Sequence, residues 1–306
     1  MADAVVIANR ANIFWGENKM QWTAQRDRLR AILNGSECIR PASVFDPLSA
    51  RIAEHLGFEL GLFAGSTASL AVLGAPDLVL LTASELAQQA QRVCRATNIP
   101  VLVDADHGYG NALNVARTVE ELATVGVAAA TIEDTILPTP FGAGGKPALI
   151  SLEEGVGKMR AALAGRPDPA FAVVGRTSAP VISSLADTIE RLRAYERAGV
   201  DALFIVGLKT IAELSEVAGK TTLPLILGSA SGELESADLS ALRVRICNQD
   251  HLPIMAAVQG IYETMKALRG GTRPAEIKNV ASGALMKTLT RAAQYDEATR
   301  DYLTAK

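Results

Sequence analysis

The 306-residue chain is short of several things, and each shortage removes a class of answer. Its three cysteines, Cys38, Cys94 and Cys247, stand far apart without metal-ligand spacing, so no thiolate metal site is written into it. They read as ordinary buried thiols of a reducing compartment. No apolar run reaches the roughly 18 residues of a membrane-spanning helix. The start, Met1-Ala-Asp-Ala-Val-Val-Ile, sets no basic segment before an apolar stretch, so the expectation is a cytoplasmic protein without a secretory signal. Charge of one sign is lacking too. Thirty basic against 33 acidic residues give −3, without the basic surplus that nucleic acid or an anionic membrane would need. No G-x-G-x-x-G sits between a strand and a helix, and there is no internal repeat.

What is present is enough apolar material, 49% of residues, for one large core. The chain is read as a single domain over 1–306, with a barrel over about 22–270 and a charged, Ala-rich helical extension over 271–306. A helix is expected over 23–33. Strand patterns then fall at 39–45, 59–64, 99–104, 126–132, 170–176, 201–206, 223–227 and 243–247. Helical stretches at 48–56, 66–72, 83–95, 111–124, 151–164, 184–198, 209–218 and 251–269 alternate with them. Glycines at 57, 126 and 199 mark turns where a helix gives way to a strand. Eight alternating units predict a (β/α)8 TIM barrel rather than an open doubly wound sheet. With charged residues at only 21%, apolar surface remains for self-association.

Two acidic clusters punctuate this pattern. Val101-Leu-Val103 runs into Asp104-Ala-Asp106-His-Gly-Tyr-Gly110, and Gly126–Ile132 runs into Glu133-Asp134. A buried strand that ends in carboxylates needs a polar partner for them, and a divalent cation at the strand mouth is one. On an extended backbone Asp104 and Asp106 leave on the same face. Oxygen ligands without paired histidines favour Mg2+ or Mn2+ over zinc. Glu133 is a third ligand, through water; the alternative is a salt bridge to Arg176. Asp77 follows Gly74-Ala-Pro76 and can equally cap the next helix. Arg176, at the end of Phe171–Gly175, is costly to bury without an anion, which a substrate carboxylate or Glu133 can supply. Ser43, in Ala42-Ser-Val-Phe-Asp46, can hold an anion with neighbouring backbone N–H groups or make a strand-end hydrogen bond. Tyr109 closes over a small substrate or merely packs. His251 opens a helix, where the dipole favours the neutral imidazole. Cation, arginine and hydroxyl together point to a small dicarboxylate or 2-oxo acid.

The blocks Ser43-Val-Phe-Asp-Pro-Leu-Ser-Ala-Arg51, Asp104-Ala-Asp-His-Gly-Tyr-Gly-Asn111, Thr131-Ile-Glu-Asp134, Glu153-Glu-Gly-Val-Gly-Lys158 and Arg176-Thr177 resemble the isocitrate lyase and phosphoenolpyruvate mutase superfamily, over about 22–270. The resemblance implies a barrel whose last helix is exchanged between subunits of a homotetramer, a dimer of dimers. It implies Mg2+ or Mn2+ near Asp104 with Asp77, Asp106 and Glu133, and a 2-oxo acid against Ser43 and Val44 with help from Arg176. Asp46, Arg176 and His251 become the candidate catalytic groups. The loop after strand four reads Pro138-Thr-Pro-Phe-Gly-Ala-Gly-Gly-Lys146-Pro. It lacks the cysteine and histidine that carbon–carbon lyases of the superfamily use there, and looks most like its oxaloacetate decarboxylase branch. Two departures bear on substrate: Ser178 stands where related decarboxylases have asparagine, and Ala230, beside Ser229, where they have tyrosine. A bulkier or less polar 2-oxo or 2-hydroxy dicarboxylate is therefore also expected to fit. The alternatives to a decarboxylase are a carbon–carbon lyase of the methylisocitrate or 2-alkylmalate type with an altered loop and a non-catalytic carboxylate-binding barrel.

Overall fold

The computed structural model describes residues 22–304. It falls into two compact units, one over Gln25–Ile254 and one that takes in Met255 onward together with residues 22–24. The first is an eight-stranded parallel sheet in sequential order. Its elements are α1 (Thr23–Asn34), β1 (Ala42–Ser43), α2 (Pro47–His55), β2 (Gly61–Ala64), α3 (Gly65–Ala68, continued as a π turn over Ser69–Leu73), α4 (Ala83–Ala96), β3 (Val101–Asp104), α5 (Ala112–Thr124), β4 (Ala129–Glu133), α6 (Leu152–Gly165), β5 (Ala172–Thr177), α7 (Ala179–Ile182), α8 (Leu185–Ala198), β6 (Ala202–Ile205), α9 (Ile211–Lys220), β7 (Leu225–Leu227) and β8 (Val244–Cys247). The sheet curls round until its ends meet. Ile39 bridges Ile246 in parallel, with Ile39 N donating to Arg245 O and Cys247 N to Ile39 O. The TIM-barrel expectation holds, with all eight strands inside the predicted segments or within a residue of them.

The strands are buried nearly throughout, as in β2 and β4, because helices cover one face and the barrel interior fills the other. Polar caps start most of the longer helices that follow the loops. Thr82 with Glu85, Asn111 with Asn114 and Thr210 with Glu213 form reciprocal capping boxes, each cap worth about 1 kcal/mol. Asp46 does the same for α2, accepting from Ser49 N. At the helix exits Gly126 and Gly199 take φ of 101°, a conformation an L side chain resists.

One end of the barrel is plugged. Leu29 and Leu33 of α1 join Leu62, Leu102, Ala129, Val174, Phe204, Ile226 and Ile246 in a single buried cluster. Burial contributes about 1.5–3 kcal/mol for each leucine. Arg26 and Arg30 tie α1 to strand starts: Arg26 donates to Ala123 O and Val127 O, and Arg30 to Ala170 O and Phe171 O. The opposite end, where strands finish, is left for chemistry. The thiols are inert ones. Burial pushes Cys38 up to about 11 and Cys94 up to about 12, and raises Cys247 as well.

The chain continues in α10 (Leu252–Arg269), which spans the division at Ile254, and ends in α11 (Gly283–Leu289) and α12 (Ala292–Leu303). The expected break at 270 is thus a helix end, while the unit boundary lies inside α10. Of its residues only Ile254 is buried, and Met255, Val258, Ile261, Tyr262, Met265 and Leu268 form an exposed apolar stripe at helical spacing.

Candidate active site at the strand ends

Parallel register sets acids and base side by side. Asp104 of β3 pairs with Thr131 of β4, and Glu133 of β4 with Arg176 of β5. Thr131 Oγ1 donates to Asp104 Oδ1 at 2.5 Å. Arg176 spends one Nη on Asp104 Oδ2 and the other on Glu133 Oε2 at 3.2 Å. The guanidinium carbon lies 5.2 Å from the Phe204 ring centroid, so the fork is held from behind by β6. Of the readings that the sequence leaves open for Glu133 and Arg176, the structure shows the salt bridge, and both residues also line a cavity.

Asp106 arrives by another route than expected. It is not on extended backbone: its φ is 48°, and its carbonyl accepts from Glu133 N at 2.8 Å. The same-face argument from strand alternation therefore fails for Asp106, whose carboxylate reaches the cavity because the chain turns left-handed there. The turn is pinned from outside. Lys158 Nζ donates to His107 O at 3.0 Å and Thr118 Oγ1 to Gly108 O at 3.1 Å. A Cβ on Gly108 would stand 2.5 Å from Val115, so glycine is required. A Cβ on Gly65 would stand 2.6 Å from Asp106 Oδ1; the bare glycine makes room for the carboxylate. Tyr109 OH donates to Asp106 Oδ2 at 3.2 Å.

Negative charge is crowded here. Asp106 is pushed up to about 8 by burial, then by Asp104, Glu133 and Asp77. Burial and Asp104 raise Asp77 as well, and burial raises Glu133 against the pull of Arg176. Burial works against the charge on Arg176, yet Asp104 and Glu133 hold it protonated. His251 is lowered by burial, in keeping with a neutral ring, and its Nδ1 lies 2.8 Å from Ser43 Oγ. His107 falls to about 4 through burial and Lys158.

Asp77, Asp104, Asp106, Glu133, Arg176 and His251 line one cavity of about 270 Å3, together with Ser66, Leu78, Val79, Leu137 and Thr139. Six of the sequence-derived candidates are thus brought together. Ser43 and Tyr109 each lie one hydrogen bond behind it, through His251 and Asp106. The others do not line it. Asp46 caps α2. Val44 is fully buried with its N–H donated to Leu62 O, and the N–H groups of Phe45 and Asp46 are taken by Ser49 Oγ. Ser178 is buried, Ser229 pairs through its backbone with Gln249, and Ala230 is half-buried. Asp77 does not cap the next long helix, since Thr82 does. Among the described residues no three His, Cys, Asp or Glu side chains are already drawn into an ion cage, because Arg176 stands between Asp104 and Glu133.

Residues 29–269 match the family described as phosphoenolpyruvate phosphomutase. The chain belongs to the phosphoenolpyruvate phosphomutase family. Within it, the chain is 56% identical to an oxaloacetate decarboxylase of Rhodopseudomonas palustris (strain BisB18), covering 94% of this chain and 100% of that one. It is 57% identical to an oxaloacetate decarboxylase of Bradyrhizobium diazoefficiens, over 90% and 96%. Among solved structures it resembles phosphonopyruvate hydrolase in complex with oxalate and Mg++, with a TM-score of 0.82, 28% identity and coverage of 92% and 100%.

For this family member, sequence reasoning missed the apolar part of the wall. Leu78, Val79 and Leu137 sit on irregular loops with no periodicity to mark them. A signal existed for Val79, whose φ of 55° is strained for a β-branched residue, but only the backbone reveals it. Lys158, buried on α6, was legible only as part of a motif.

Proposed function

We propose that this chain is a divalent-cation-dependent decarboxylase of oxaloacetate or a substituted 2-oxo dicarboxylate, working with Mg2+ and accepting Mn2+. The observation that carries the reading is the cavity's composition: four carboxylates and one arginine at the strand ends and the loops that follow them, walled by a loop with neither cysteine nor histidine. The two relatives named oxaloacetate decarboxylase, matched along almost their whole length, support it.

The residues fit a hard cation. Four oxygen donors face one arginine, and Asp106, raised to about 8, marks a rim over-supplied with negative charge. Asp77, Asp104, Asp106 and Glu133 would hold the ion. When bound it supplies a Lewis acid for negative charge developing on the 2-oxo oxygen. The chain's own groups do the rest. Arg176, whose side chain lines the cavity, orients a substrate carboxylate. His251 pairs through Nδ1 with Ser43 Oγ and has Nε2 for substrate. Tyr109 steadies Asp106. Leu78, Val79 and Leu137 exclude water around the carboxylate that leaves. Decarboxylation needs no general base: the C3–C4 pair moves toward C2 as CO2 departs, and a proton from water returns to C3. A carbon–carbon lyase, by contrast, needs a proton relay that this loop does not carry. Asp46, Val44, Ser178, Ser229 and Ala230 serve the framework of the rim in this reading.

The apolar stripe on α10 supports a homotetramer, a dimer of dimers that exchanges this helix. No described helix is long and apolar enough to cross a membrane, and the proposed location is the cytoplasm.

Purified protein with oxaloacetate and Mg2+ should release pyruvate and CO2 well above a metal-only blank, and EDTA should abolish the excess. Pyruvate no faster than the blank would remove the proposal, and two organic products by mass spectrometry would replace it with a carbon–carbon lyase. Gly65→Ala should weaken Mn2+ binding about 10-fold, read by electron paramagnetic resonance of the free ion, because its Cβ displaces Asp106. Unchanged affinity would take Asp106 out of the ligand set.

A further inference from the structure

The loop between β4 and α6 contributes Leu137 and Thr139 to the cavity wall, and both of its ends meet at one buried group outside the cavity. Alternation along β4 sends Glu133 into the cavity and Asp134 the other way. Asp134 is fully buried. Its Oδ2 accepts from Tyr195 OH at 2.7 Å and from Arg191 Nη1 at 3.2 Å. The same Nη1 donates to Ile150 O at 3.1 Å. Ile150 N in turn donates to Asp134 O at 2.9 Å, Ile136 N donates to Ala148 O at 2.8 Å, and Thr135 bridges Leu149 in antiparallel fashion. The loop therefore stands on a short two-stranded stem whose base is held by one guanidinium. Arg191 Nε is itself fixed by both oxygens of Asp187, at 3.0 Å each.

Further out the loop has little to hold it. Gly142, Gly144 and Gly145 all take positive φ, and Phe141 is fully exposed. The position of Leu137, one residue past the stem, is then set mainly at the base. Glycines make that base possible. A Cβ at Gly155 would stand 2.5 Å from Tyr195 OH, and one at Gly175 would stand 3.1 Å from its ring. Their bareness lets Tyr195 of α8 reach through to Asp134.

We propose that Arg191 is a positioning residue for the reaction: by binding Asp134 and Ile150 together it joins the two ends of the 135–150 loop, and so sets where Leu137 and Thr139 stand against the substrate. It touches neither substrate nor ion. The kinetic half of the test rests on the decarboxylase reading; the proteolytic half does not.

Arg191→Lys keeps a positive charge beside Asp134, but one ammonium cannot bind Asp134, Ile150 O and Asp187 at once. It should raise KM for oxaloacetate about 10-fold with kcat within about threefold of the parent, the pattern of lost uniform binding. Chymotrypsin cleavage after Phe141 of the native protein should quicken at least about fivefold, since the stem opens more often. Mn2+ affinity should not move. Tyr195→Phe removes one hydroxyl, leaves the Arg191–Ile150 bond, and should shift both readouts the same way by about two- to threefold. An Arg191→Lys protein with a lower Tm but parental KM and cleavage rate would make Arg191 a mere anchor for α8 and overturn the proposal. Should Arg191→Lys fail to fold, parental KM and cleavage in Tyr195→Phe would overturn it equally. If the parent does not decarboxylate oxaloacetate at all, the cleavage rates still decide.

Discussion

Asp104→Asn is expected to lower kcat/KM for oxaloacetate about 10³-fold while the chain still folds. The argument starts from the two oxygens of Asp104. One accepts from Thr131 and the other from Arg176. The isosteric amide keeps a partner for Thr131 and loses the charge. Losing a partner of a buried arginine costs stability, but Glu133 still holds the other Nη, and Asp106 is relieved of a like-charged neighbour. These two changes oppose each other, so the net loss is on the order of 1–2 kcal/mol, a shift in Tm of a few degrees. Catalysis has no such offset. Removing one preorganised electrostatic contact from a water-poor site costs about 10²–10³ in rate, and a weakened cation site adds to that. Coupled measurement of pyruvate with Mn2+ titration checks both parts. Turnover within threefold of the parent would detach Asp104 from the chemistry.

The fold was legible because its signal is collective. Eight apolar runs at regular intervals, each followed by a helical stretch, leave few alternatives to a closed parallel barrel, and caps such as Thr82, Asn111 and Thr210 are paired in the sequence with residues three positions on. The plug at the far end was half legible. The helix at Thr23 was expected, but nothing in the order of residues says that Arg26 and Arg30 face strand starts more than 90 positions away. Residues 1–21 lie outside the described residues.

At the site, residues at strand ends were legible and residues on loops were not. Asp104, Glu133 and Arg176 follow from strand termination alone, because parallel register then places neighbours together. Asp106 was found for a partly wrong reason. Its convergence depends on a left-handed turn whose stability comes from Lys158, Thr118 and the empty space at Gly65, and these contacts span 40 or more positions for two of the three. The Ser43–Asp46 segment shows a different limit of local reading: the strand ladder takes the N–H of Val44, and the Ser49 hydroxyl those of Phe45 and Asp46, partners that sequence order alone does not reveal.

Arg176→Lys should separate charge from geometry, with stability largely kept and kcat/KM reduced about 10²-fold. The guanidinium serves two acids at once, one through each Nη, and stacks on Phe204. An ammonium on a flexible stem can satisfy Asp104 or Glu133 but not both, and it offers no second N–H edge to a substrate carboxylate. Because the positive charge remains near the acids, the Tm should fall by only a few degrees. Arg176→Met makes the contrast. With no cation left among Asp104, Asp106 and Glu133, breaking the buried pair costs about 3–5 kcal/mol, a large share of the roughly 5–15 kcal/mol that holds a domain together. Saturating Mn2+ should return part of that stability to Arg176→Met, since an ion that binds the native state alone stabilises it by mass action. It should return none of the activity lost with the fork. Equal kcat/KM in Arg176→Lys and the parent would mean that a point charge suffices and that the planar pair of donors has no part in holding substrate.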